Sequence, residues 1–230
     1  MIWKDFLNSL WHDWRGSGAS EDRLESPSWR SHFLSSYGYS DDLTASSIAN
    51  DPAMDLQATD NTTASNPTVN KQATDIVMAS NPTVNELIEL KHLRDGLRQL
   101  THRINESVRG TPPVALVQDD FTLLNKYLAD SPFTRSIVWE AGALQMLESS
   151  QAAGWGNVMA RITAAYAATL AHGELERFRI CDNPDCKWMY YDGTRNRSKR
   201  YCDDKCCGNL MKVRRFRERA KDKFENSSKN

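Results

Sequence analysis

Four of the five cysteines stand in two equal pairs, Cys181 with Cys186 and Cys202 with Cys207; each pair encloses four residues and fifteen residues separate the pairs. Two close thiol pairs about fifteen to twenty residues apart have the spacing of a structural zinc site, in which four thiolates occupy tetrahedral corners. In CDNPDC the Asn183-Pro184 step promotes a tight turn that brings Cys181 and Cys186 to one side of a metal. The second pair lies in YCDDKCCGN, ahead of a strongly helical run. A ligand in the first turn of that helix has its thiolate stabilised by the positive end of the helix dipole.

Spacing alone accepts either Cys206 or Cys207. Cys207 makes the two knuckles equal and directly precedes Gly208, whose missing side chain lets the backbone approach closely. The expected ligands of one structural Zn2+ are therefore Cys181, Cys186, Cys202 and Cys207, with Cys206 an ordinary thiol or a spare ligand. Lys4, Asp5, His12 and Asp13 interrupt the apolar residues at the N-terminus, so no signal peptide is expected there. A cytoplasmic chain keeps its thiols reduced, which favours metal over disulfides.

Charge is polarised along the chain. Residues 177–223 carry fifteen Lys and Arg against seven Asp and Glu, while the whole chain has a formal net charge of −1. Nucleic acid is the commonest partner of so compact a basic patch, through phosphate neutralisation and counterion release. Two parts of the patch can make contacts. The loop YYDGTRNRSKRY offers Arg195, Arg197, Lys199 and Arg200 between aromatic ends. The run GNLMKVRRFRERAKDKF offers Asn209, Lys212, Arg214, Arg215, Arg217 and Arg219, with Leu210, Val213, Phe216 and Ala220 on an apolar side. Duplex DNA is the expected partner. The alternative is a protein-interaction module whose basic helix binds an acidic partner, even the acidic remainder of the same chain.

Catalysis has no constellation to rest on. His12, His32, His92, His102 and His172 occur without an HExxH, GxSxG or phosphate-binding glycine loop, and a closed four-cysteine site leaves zinc no open position for water. No catalytic residue is expected.

The elements that must position this module read as mainly α. Residues 1–15 place Trp3, Phe6, Leu7, Leu10, Trp11 and Trp14 at helical spacing, as a core face. A short helix is expected near 28–37. Residues 40–85 are polar and contain a tandem repeat of period fifteen, 57–71 and 72–86 with eleven identities, expected as a duplicated surface insertion. Thr83 and Glu86 suit a capping box for a helix carrying Leu87, Leu90, Leu93, Leu97, Leu100 and Ile104, ended by Gly110 with Pro112 and Pro113. Further helices are expected at 117–128 and 157–176; between them, periodicity does not choose between strand and helix for RSIVWEAG and ALQMLES. No stretch approaches transmembrane length.

The stretch from Cys181 to about Arg219 resembles the CGNR zinc finger, on Cys181, Cys186, Tyr191, Asp192, Arg200, Tyr201, Cys202, Cys207, Gly208, Asn209, Lys212 and Arg215. Leu210 departs from that signature, standing where the family places arginine. The opening, with Asp5, Phe6, Leu7 and Asn8, and the segments LRDGLRQL and LLNKYL are similar to the ABATE domain that precedes this finger in bacterial proteins. The resemblance implies a transcription regulator linked to stress. The chain is expected to divide into a helical domain over 1–172, a connector at 173–180 and a treble-clef-like knuckle plus basic helix at 181–223, followed by a disordered tail at 224–230. The N-terminal domain is expected to sense a small-molecule effector or to mediate assembly as a homo-oligomer.

Overall fold

The computed structural model describes residues 1–39, 81–130, 132–140, 142–150, 152 and 154–227. Most of the duplicated insertion lies outside the described residues. Among them are six α-helices, α1 (Ile2–Leu7), α2 (Pro27–Ser36), α3 (Val84–Arg109), α4 (Thr122–Asp130), α5 (Gly154–His172) and α6 (Asn209–Ser227). Three antiparallel hairpins accompany them: β1 (Leu10–His12) with β2 (Ser20–Asp22), β3 (Phe133–Glu140) with β4 (Ala143–Ser150), and β5 (Phe178–Ile180) with β6 (Met189–Tyr191). The fold is mainly α.

α3 is the spine. Its capping box forms as the repeat's last copy allows, with the Thr83 hydroxyl accepting from the Glu86 N–H and the Glu86 carboxylate accepting from the Thr83 N–H. Leu90, Leu93, Leu97, Leu100 and Ile104 recur every three or four residues and are all buried, so one stripe of the helix faces the core. Against that stripe pack α1 through Trp3, Phe6 and Leu7, and α5 through Val158, Ile162 and Tyr166. The Thr101 and Tyr166 hydroxyls meet at 2.9 Å and Trp3 Nε1 donates to Thr169 Oγ1 at 3.0 Å, so these buried polar atoms are satisfied.

The first fifteen residues are not one helix. α1 ends at Leu7, and Leu10–His12 form a strand; only Trp3 of the three tryptophans is in the central core. Asn8 explains the break, because its side chain accepts from Met189 N at 2.9 Å and donates to Met189 O at 2.7 Å. A tertiary partner outbids the next helical turn. RSIVWEAG and ALQMLES pair as the β3–β4 hairpin, with Ile137 opposite Met146 and Trp139 opposite Leu144.

The segment expected as a connector is structured. Residues Leu175–Arg177 form a 3-10 turn and Phe178 lies in the central core, stacked on Trp3 at 5.5 Å and edge-on to Tyr166. Apolar burial overrides the polar look of GELER. The tail expected to be disordered from 224 also differs, since α6 continues to Ser227.

Candidate metal centre and basic surface

β5 and β6 hold the first cysteine pair in the turn between them. Cys181 N donates to Trp188 O at 2.8 Å, Cys186 N donates to Asn183 O at 3.0 Å, and Asp185 N donates to Asn183 Oδ1 at 3.3 Å. Of the second pair, Cys202 precedes and Cys207 lies within a π-type turn, Asp204–Gly208, capped by Asp203, whose carboxylate accepts from Cys206 N at 2.6 Å. That turn runs directly into α6. It carries Cys207 inward and Cys206 outward.

The four sulfurs meet. Sγ of Cys181, Cys186, Cys202 and Cys207 lie within 4.8 Å of one another, with 3.6 Å between Cys186 and Cys202 and 3.8 Å between Cys202 and Cys207. Tetrahedral zinc with Zn–S near 2.3 Å demands sulfur–sulfur edges of about 3.8 Å, which the Cys186–Cys202 and Cys202–Cys207 edges already match, and no edge exceeds 4.8 Å. Cys181, Cys186 and Cys207 are buried and Cys206 is exposed. The site can hold one zinc ion.

Its second layer supports thiolates. Asn183 Nδ2 and Cys202 N each point at a sulfur, Cys207 Sγ and Cys181 Sγ, at 3.5 Å. Hydrogen bonds from the Cys186 and Cys202 thiols hold Cys181 well below the ordinary thiol range. The same bonds to Cys181 push Cys186 and Cys202 up, and burial pushes Cys207 up. Zinc binding must therefore displace the protons that burial and mutual hydrogen bonding hold on the raised thiols.

Asp192 organises the basic loop. Buried at the end of β6, its carboxylate accepts from Thr194 N, Thr194 Oγ1 and Lys199 N at 2.9, 2.6 and 3.0 Å. Burial pushes this acid up, but those donors outweigh it and hold the carboxyl below its usual range. The buried Arg179 closes the loop from beneath, donating to Lys199 O at 2.9 Å. The sequence marked Asn183 only as part of a turn, without its bond to a cage sulfur, and did not separate Arg179 from the other cations of the basic segment.

The ten basic-surface residues divide into two groups. Arg197 pairs with Glu174, Arg200 with Asp182 at 2.7 Å, and Arg214 with Asp185 at 2.7 Å and with Arg15 O at 2.9 Å. Lys199 lies over the Tyr190 ring and Asn209 Nδ2 donates to Lys205 O at 3.1 Å. Arg215 donates to Met211 O and to Tyr201 Oη, while Arg200 covers the Tyr201 ring, so Tyr201 joins loop and helix into one surface. Arg195, Lys212, Arg217 and Arg219 are exposed and form no ion pair among the described residues. Lys212, Arg215 and Arg219 follow at i, i+3 and i+7 and share one face. Arg214 acts as a strut, which leaves Lys212 as the unpaired cation next in sequence to Leu210 among the described residues.

The apolar side of α6 also differs from expectation. Met211 packs against the cysteine cluster, whereas Val213 is 45 % and Phe216 74 % exposed. Gly208 is buried beside Tyr201, yet an added methyl there would meet Asp204 and Tyr201 at 3.4–3.5 Å, which is ordinary contact rather than a forced approach.

A helical body bearing a hairpin-and-helix four-cysteine cage defines a zinc-finger protein. The chain belongs to the ABATE family, described as "Putative stress-induced transcription regulator", whose family model matches residues 2–173; the model of the CGNR zinc finger matches residues 177–220. No curated protein matches the chain. No helix among the described residues is long and apolar enough to cross a membrane.

Proposed function

We propose that this protein is a cytoplasmic, non-catalytic transcription regulator whose zinc module binds duplex DNA. One observation carries the reading: Lys212 and Arg219, exposed and without ion pairs among the described residues, line one face of a helix anchored at its start by a cage cysteine. Zinc holds the β5–β6 turn and the start of α6 together, and Asp192 and Tyr201 set the loop beside the helix. Phosphate contacts from Arg195, Lys212, Arg217 and Arg219 supply affinity, and Arg215, held by Tyr201 and flanked by Asn209 and Lys212, is placed for base contact.

A second reading has its own observation. Val213 and Phe216, exposed on α6 between Lys212 and Arg217, suit an apolar strip against an acidic protein partner. Binding of the zinc-loaded full chain to duplex DNA, RNA and heparin separates the two. DNA affinity above heparin, with sequences enriched from a random pool, supports the regulator; binding no tighter than heparin with no enrichment overturns it.

A further inference from the structure

α3 buries two arginines one turn apart, and they are treated differently. Arg94 is neutralised by Asp22 at 2.6 Å and Asp95 at 2.9 Å. Arg98 is 9 % exposed, donates to Leu7 O at 2.8 Å, and has no ion pair among the described residues. A buried cation is ordinarily paired with an anion, because a neutral carbonyl does not repay the loss of hydration.

The surroundings add positive charge rather than cancel it. His102 lies one turn after Arg98 on the same face of α3. Leu7, the acceptor of Arg98, adjoins Asn8, and Asn8 clamps Met189, so the finger's Lys187 is brought to the same seam. Lys187 itself holds a left-handed backbone conformation, φ 54°, at the turn after Cys186. His12, on the neighbouring β1, completes the group. Burial and the charges of Lys187 and Arg98 hold His12 below its ordinary range; burial and Arg98, opposed by Glu106 and seconded by Lys187, do the same to His102. The acids facing the group, Asp95 and Glu106, are already near Arg94 and Arg103.

We propose that Arg98, His102, His12 and Lys187 form a binding site for a single oxyanion, a phosphate or carboxylate group, at the seam between the helical body and the zinc module. Arg98 supplies the fixed charge and the other three close over the ligand. Because Lys187 belongs to the finger and Arg98 and His102 to α3, the bound anion ties the two together. The inference does not depend on the nucleic-acid reading.

The test uses the zinc-loaded full chain, with the His12 and His102 imidazoles followed by NMR during titration with inorganic phosphate at constant ionic strength. Saturable shifts of both imidazoles are expected, with both titrating at higher pH once phosphate is bound. The exposed-site variants His102→Gln and Lys187→Gln should each weaken phosphate at least tenfold, whereas Lys212→Gln leaves it unchanged. Parallel titrations with acetate and with a short DNA duplex identify the source of the oxyanion, since a free ligand acts without DNA and a backbone phosphate acts only with it. No saturable shift with phosphate, acetate or DNA overturns the site, as does equal weakening by Lys212→Gln.

Discussion

Cys206 and Cys207 are chemically alike and adjacent, and the π-type turn capped by Asp203 gives only Cys207 to the cage. Cys207→Ser should therefore abolish bound zinc, while Cys206→Ser keeps one zinc per chain by elemental analysis. If zinc survives in the first variant, the ligand set is wrong. The protonation pattern makes a second claim. Mutual hydrogen bonding pushes Cys186 and Cys202 up and burial pushes Cys207 up, so these groups favour the thiol without metal. Zinc must displace those protons, so affinity should fall steeply as pH is lowered through neutrality. A competition titration with a chromophoric chelator at several pH values measures that slope. A pH-independent affinity would contradict the thiol assignment.

α6 separates positions that position the helix from positions that are free to bind. Arg214 ties the helix to Asp185 and to the N-terminal segment through Arg15 O, whereas Lys212 and Arg219 point to solvent unpaired among the described residues. Lys212→Gln or Arg219→Gln should each lower the slope of log affinity for duplex DNA against log salt by about 1, with unchanged thermal stability. Arg214→Gln should leave that slope alone and destabilise the fold by about 0.2–1 kcal/mol, a modest figure because the pair is partly solvated. Salt-dependent binding and thermal melts check both. From sequence the basic helix following the second cysteine pair was legible, because charge density and cysteine spacing are local properties, although Cys207 lies in the turn before it and not in its first turn. The division of labour among its arginines was not, since Asp182, Asp185 and Glu174 reach them only through the folded chain. The same limit applied to residues 1–15: their apolar spacing spelled a helix, but Asn8 finds Met189 across 181 residues and stops it at Leu7.

At the scale of the whole molecule, family boundaries and packing boundaries do not coincide. The two matched segments end and begin at 173 and 177, yet Phe178 and Met189 of the finger lie in the same core as Trp3, Leu97 and Tyr166. Asn8 adds two buried hydrogen bonds across that junction, and Asn183 a partly buried one from its amide to Trp14 O at 2.8 Å. Folding of the body is therefore linked to the metal. Removing zinc releases the β5–β6 turn, and with it the partners of Asn8 and the ring that covers Trp3. Each buried polar group left unmatched costs about 1–3 kcal/mol. Loss of roughly 2 kcal/mol in a chain of this size lowers the melting temperature by about 4–8 °C. Melting followed by circular dichroism, whose helical signal comes mostly from the body, should show that drop on chelation. Asn8→Ala, which cuts the link itself, should lower the melting temperature of the zinc-loaded chain and shrink the further drop caused by chelator. A body that melts at one temperature with and without zinc would mean that the shared core is not a shared folding unit, and the finger would then be free to move as a separate module on its target.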